Sequence, residues 1–219
     1  MKRYVITALL LALSVNVAVA VAAKPPKNGL SITAKPNPVV LGRTVGLSGK
    51  LTGAAHAGQN VQVQADPYPY DAKYTNVATP TTAANGDWAA SNKPDRNTRY
   101  RAKGKGTTSG IVTELVRIRV SIRVSDRTPA VGQRVRFRGR ACAELNINGA
   151  RVRIQRRTRT GKWRTIRRTT LKDIAGTTCA KYSRRFRVFR DGTYRAFVVS
   201  NNPAYANGRS RRRHLDAHR

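Results

Sequence analysis

The side chains with most to offer chemically are arginines set two apart. They are Arg134, Arg136, Arg138 and Arg140, then Arg151 and Arg153, followed by the run Arg211, Arg212, Arg213. A guanidinium is planar, stays charged, and presents a fork of N–H donors that grips phosphate or carboxylate at two points. The chemistry such a set offers is anion binding. With 43 Lys+Arg against 10 Asp+Glu the formal charge is +33. A polycation of that density suits nucleic acid, anionic lipid, acidic glycan or cell-wall polyanion.

Other chemistry finds little material. Asp66, Asp71 and Asp87 are the carboxylates to consider for glycoside hydrolysis, but their spacing gives no support for a pair across a bond. His214, Asp216 and His218 form an H-x-D-x-H string, a weak metal pattern in the last six residues, where fraying is expected. His56 is the one histidine inside the body of the chain, in a Gly/Ala turn. No phosphate-cradling G-x-x-x-x-G-K-S/T loop occurs. No catalytic residue, metal or cofactor is expected. Tyr68, Tyr70 and Tyr74, stiffened by Pro67 and Pro69, make the best candidate for a recognition loop; the alternative is a rigid loop covering the edge of a core. Trp88 and Trp163 each follow a turn and read as strand-edge packing rather than a glycan platform.

The elements that position these residues are strands. Val116, Ile118, Val120, Ile122 and Val124 alternate with Arg117, Arg119, Ser121 and Arg123, a period of two. Val135 and Phe137 alternate with the first arginine set, Val152 and Ile154 with the second. Asn85-Gly86, Asn148-Gly149, Thr160-Gly161 and Asp191-Gly192 supply turns between runs. The chain also repeats itself. Gly42, Val45, Leu47 and Gly49 match Gly132, Val135, Phe137 and Gly139. Val61 and Val63 match Val152 and Ile154, Tyr74 matches Trp163, and Tyr100-Arg101-Ala102 matches Tyr194-Arg195-Ala196. About seven short strands per unit of about 100 residues predict an immunoglobulin-like sandwich.

These motifs resemble bacterial immunoglobulin-like repeats of secreted and cell-surface proteins. The residues that carry the resemblance are the Gly-x-x-Val openings, the Gly-Lys-Trp hairpin at Gly161–Trp163 and the late Thr-Tyr-Arg-Ala strand at Thr193–Ala196. The resemblance spans nearly the whole chain after its first 23 residues, except for the irregular middle of the first unit. It implies a sandwich fold and a spacer, adhesion or binding role, and no catalytic residues. The expected organisation is an export signal over 1–23, a first immunoglobulin-like domain over 24–119 and a second over 120–219, so the fold class is all-β with two tandem sandwiches. The last strand of the first unit is expected to run into the second unit without a linker. The segment around Arg211–Arg213 is either the matching last strand of the second unit or a free basic tail.

Lys2 and Arg3 before an apolar stretch over 5–23 that ends in small residues have the pattern of a cleaved secretory signal; an uncleaved anchor is the alternative. No later stretch is apolar enough to span a membrane. A secreted or envelope-associated location follows, and in an oxidising compartment Cys142 and Cys179 have one pairing available. Residues 24–119 carry 6 Arg, 8 Lys and 5 acidic residues, a net +9; residues 120–219 carry 24 Arg, 3 Lys and 5 acidic residues, a net +22. Thr44, Gly46, Ser48 and Lys50 of the first unit stand where the second has its four alternating arginines. A GC-rich genome presses on both halves alike, so the asymmetry points to a charge-based role for the second. The expected partners are anionic cell-wall or extracellular polymers. The competing expectation is a glycan-acting enzyme, or its carbohydrate-binding accessory, on a sandwich scaffold. Because the second and third strands of such a sandwich belong to opposite sheets, the arginines are expected to coat both faces and to favour loose contact over a shaped site.

Overall fold

A computed structural model describes residues 28–218. The proposed export signal lies outside the described residues. The first ten strands are β1 (Gly29–Leu30), β2 (Thr33–Lys35), β3 (Val39–Val40), β4 (Val45–Thr52), β5 (Gln62–Pro67), β6 (Thr75–Ala78), β7 (Asp87–Asn92), β8 (Thr98–Gly104), β9 (Thr107–Thr108) and β10 (Val112–Glu114). The next ten are β11 (Val116–Val120), β12 (Arg123–Val124), β13 (Arg134–Cys142), β14 (Arg151–Arg157), β15 (Trp163–Thr170), β16 (Lys172–Asp173), β17 (Cys179–Arg187), β18 (Gly192–Val199), β19 (Ala206–Arg209) and β20 (Arg213–Leu215). No helix occurs among the described residues.

Both units use one plan. In the first, β2, β4 and β7 form one sheet and β10, β8, β5 and β6 the other. In the second, β12, β13, β17 and β16 repeat the first layer, and β20, β18, β14 and β15 repeat the second. This strand order makes each unit an immunoglobulin-like β-sandwich, with sequential strands crossing between layers. The alternation seen in sequence becomes burial. Val135, Phe137 and Ala141 are buried while Arg134, Arg136, Arg138 and Arg140 are exposed. The second unit differs in one way: β11 pairs with β13 on one side and, in parallel, with β19 on the other, joining its two layers into one continuous order.

The alternating run from Val116 to Val124 is not a single strand. It breaks at Ser121 and Ile122, where the chain crosses the middle of β13. Gly139 permits that crossing. A Cβ there would fall on the Ser121 carbonyl and on the Tyr182 ring, and Gly49 meets Ser31 and Trp88 in the same way. The Tyr182 hydroxyl donates to the Ser121 carbonyl at 2.8 Å, fixing the crossing. Gly139→Ala is therefore expected to lower stability by about 2 kcal/mol through overpacking, read as a drop in Tm. An unchanged melting curve would show that the crossing has slack.

The two units meet through shared structure. Val39 and Leu41, early in the chain, pack in the core of the second unit, and β3 lies parallel to β11. Leu115 alone separates β10 from β11. Asn97 ties the seam together: its N–H donates to the Ala204 carbonyl, its Nδ2 to the Pro203 carbonyl, and its Oδ1 accepts from the Val116 N–H.

Candidate functional site

The outer face of β13 and β17 gathers the densest positive charge. The antiparallel register sets Arg134 opposite Arg187, Arg136 opposite Arg185, Arg138 opposite Ser183 and Arg140 opposite Lys181. Strand β12 adds Arg123 beside Arg138, and β16 adds Lys172 beside Lys181. The result is four rungs, each with at least two cations, and all of these side chains are exposed. A groove of about 860 Å³ borders part of this face: Arg123, Arg136, Arg138, Arg140, Lys172 and Lys181 line it together with Thr169, Thr170 and Arg211 of the other layer and no acidic residue, while Arg134, Arg185 and Arg187 lie outside its lining. The ladder is left without counter-charge: all three ion pairs among the described residues, Lys50–Asp87, Lys73–Asp71 and Arg96–Asp95, belong to the first unit.

The other predicted arginines are distributed differently. Arg151 and Arg153 lie on β14, in the opposite layer. Arg153 faces Arg168 across the strand pair, so that layer is also basic. The Arg211–Arg213 segment is not a free tail. Arg213 begins β20, which pairs with β18 through Tyr194. Arg211 turns toward the ladder groove, Arg213 into a smaller pocket with Arg123, Arg127 and Arg138, and Arg212 toward the Trp163 ring, 6.0 Å away. Arg213 is held below the usual guanidinium range by partial desolvation, then by Arg211, Arg127 and Arg123. The arginines lie on both layers, as expected, and period-two placement on paired strands aligns one set into facing rungs.

Sequence reasoning missed half of the ladder. Arg185 and Arg187, two apart before Val188, carried the same alternating signal as the β13 set, but the paired register that brings the sets together is a property of the fold.

The tyrosine segment is divided. Tyr68 packs against the core of the second unit, and its N–H donates to the Asn97 carbonyl. Tyr70 meets Tyr68 edge-on at 5.4 Å and lies under the Arg99 guanidinium at 4.2 Å. Tyr74 lies under Arg101 at 3.7 Å, and Arg101 Nε donates to Gln64 Oε1 at 2.9 Å. The second unit repeats that last arrangement: Arg195 covers the Trp163 ring at 4.0 Å, with Nε donating to Gln155 Oε1 at 2.8 Å. Partial burial, with Arg209 and Arg212 near, lowers the Arg195 pKa. Trp88 has a packing role, in the core of the first unit, in the place that Tyr182 takes in the second.

The three candidate carboxylates stand on different elements. Asp66 is buried on β5 opposite Arg99, with Oδ1 unpaired. Asp71 is exposed in a loop, where the Lys73 N–H and side chain hold its carboxyl below the usual range. Asp87 lies in the other layer, paired with Lys50. His214 lies on β20, Asp216 and His218 in the segment after it, and no group of three His, Cys, Asp or Glu suited to a metal occurs among the described residues. The fraying expected there is corrected: the Asp216 N–H donates to the Arg127 carbonyl, the His218 N–H to the Pro129 carbonyl, and the His218 carbonyl accepts from the Val131 N–H. Cys142 and Cys179 form a disulfide at the last rung of the β13–β17 pair, so the end of one strand meets the start of the other.

No family model matches the chain, and no curated protein matches it. Among solved structures, a marsupial T cell receptor is similar over 89% of this chain and 73% of that chain, with 7% identity and a TM-score of 0.34. A likeness that slight adds nothing to the strand order, on which the fold assignment rests.

Proposed function

We propose that this chain is a secreted or envelope-associated module of the bacterial tandem immunoglobulin-like type, without enzymatic activity, whose second unit adheres to anionic polymers. The observation that carries the reading is the four-rung ladder of exposed cations, none of them in an ion pair with an acidic residue among the described residues. Like charges directly opposite one another on a strand pair oppose folding. A surface that accepts that cost gains it back when a polyanion neutralises it, because a ligand that binds only the folded state stabilises it. The disulfide and the export-type N-terminal pattern agree with an oxidising, extracytoplasmic location.

The test uses the whole chain, because Val39 and Leu41 are part of the second core and separating the units would expose it. At low salt the protein is expected to bind DNA, heparin and poly(glycerol phosphate), and to lose them steeply as salt rises. Arg136→Ser with Arg138→Ser, which imposes first-unit polarity on two rungs, is expected to reduce the slope of log K against log salt by about two. Each bound polymer is expected to raise the Tm of the wild-type chain. If none of the three polymers binds at low salt, the reading fails.

A further inference from the structure

The polarity and the spacing of the ladder together identify a class of polymer. We infer that the outer face of β13 and β17 is a linear track for a polyol phosphate chain lying parallel to the strands, one phosphate to each rung. This rests on the proposed binding of polyanions by the second unit and narrows it.

Three observations lead there. The first is repeat length. Successive outward residues of a strand are two apart, so the rungs recur at about 6.8 Å. Two residues of backbone comprise about six bonds. A 1,3-glycerol phosphate repeat also has about six bonds from one phosphorus to the next, so when both chains are extended their charges advance in near step. The second observation is that every rung offers at least two cations, from two adjacent strands. A phosphodiester has two free oxygens, and guanidinium forks from either side satisfy both. The third observation concerns what is missing from the rungs. Single-stranded nucleic acid has a similar backbone repeat, but its binding sites place aromatic rings under the bases. The rung positions hold Arg, Lys and Ser, while Phe137, Tyr182 and Phe186 of the same strands point into the core. The other layer, where Trp163 lies, has its ring covered by Arg195. The track is therefore suited to a backbone without bases.

The experiment measures binding of the full chain to glycerol phosphate oligomers of increasing length at low salt. It is run beside single-stranded DNA and heparin oligosaccharides of matched charge number. Affinity is expected to climb several-fold with each added phosphate up to about four and to level off beyond that, with the four-phosphate oligomer preferred over its DNA and heparin counterparts. Arg136→Ser with Arg185→Ser removes the cations of one central rung. It is expected to weaken the four-phosphate oligomer about tenfold or more. Arg153→Ser with Arg168→Ser removes the same charge from the opposite layer and is expected to change that affinity by less than twofold. Thermal melting of both variants verifies that the fold is retained. Equal weakening by the two variants, or affinity that keeps climbing with length, would overturn the track and leave general polyanion binding in place. Preference for DNA or heparin would overturn the choice of polymer. No binding of any probe by the wild-type chain would overturn the underlying reading.

Discussion

Replacing both cysteines, Cys142→Ala with Cys179→Ala, is expected to lower the stability of the second unit by about 4 kcal/mol, the chain-entropy value for a loop of this length. The bridge closes a sequence separation of 37 residues that contains β14, β15 and β16. Those strands cross from one layer of the sandwich to the other and back, so an unbridged unfolded chain gains the freedom of the whole excursion. The position sharpens the effect. The bridge sits at the end of the same strand pair that carries four rungs of unneutralised cations, where repulsion acts to part the strands. The first unit closes the equivalent place without cysteine: the Leu51 N–H donates to the Gly86 carbonyl in a short, glycine-assisted turn. Scanning calorimetry of the variant should show a transition lowered by roughly 15–30 °C for a unit of this size, and reduction of the wild-type chain should reproduce it. Added polyanion should recover part of the loss. A transition displaced by only a degree or two would mean that the unfolded second unit is already constrained without the bridge.

The outline of this arrangement was legible in the residues because a sandwich is written in period two. Val135 and Phe137 face inward and their arginine neighbours outward, as alternation requires, and Gly42, Gly49, Gly132 and Gly139 mark equivalent turns and crossings in both units. The match of Tyr74 with Trp163 was also sound, since both rings carry an arginine held by a glutamine. Cross-strand partners were legible only at the cysteines, whose pairing sets the end of one strand beside the start of the other. Nothing in the local pattern of Arg185 and Arg187 says that they stand opposite Arg136 and Arg134; register depends on how the whole core packs. The seam between the units was hidden for a related reason. Val39 and Leu41 lie within the stretch assigned to the first unit, and only the parallel pairing of β3 with β11 places them in the core of the second. The same device recurs at the other end of the second unit. There the Val131 N–H donates to the His218 carbonyl, just as the Leu41 N–H donates to the Arg117 carbonyl. A segment that looks terminal and loose is thereby held by the rule that holds the middle of the chain.

Glu114 makes stability depend on pH in a direction opposite to that of an ion-paired carboxylate. Its side chain is fully buried at the end of β10, opposite Thr98. One oxygen accepts from the Val39 N–H at 2.8 Å, and the other has no partner. Burial pushes its pKa up to about 7, against a smaller lowering by the Val39 hydrogen bond. Burial likewise pushes the nearby Tyr100 hydroxyl up to about 12, and Glu114 and Asp95 add to that rise. In the unfolded chain Glu114 titrates near the ordinary carboxylate value of about 4.3. Between these two values the folded chain holds a proton that the unfolded chain has lost, so folding grows weaker as pH rises. The advantage of the protonated form is complete below about pH 4.3 and is lost as pH passes about 7, an effect on the order of 3 kcal/mol. Glu114→Gln keeps an oxygen for the Val39 N–H and cannot ionise. Denaturant unfolding from pH 4 to pH 8 should therefore show the wild-type chain falling relative to the variant by about that amount, with the fall centred between pH 4.3 and 7. The rest of the titration, common to both chains, cancels in the difference. Because Val39 belongs to the segment that docks on β11, the same titration should loosen the seam, and the protection factors of the Val39 and Leu41 amides, corrected for intrinsic exchange, should fall above pH 7 in the wild-type chain alone. Parallel stability curves would place Glu114 in contact with solvent and remove the seam from its influence.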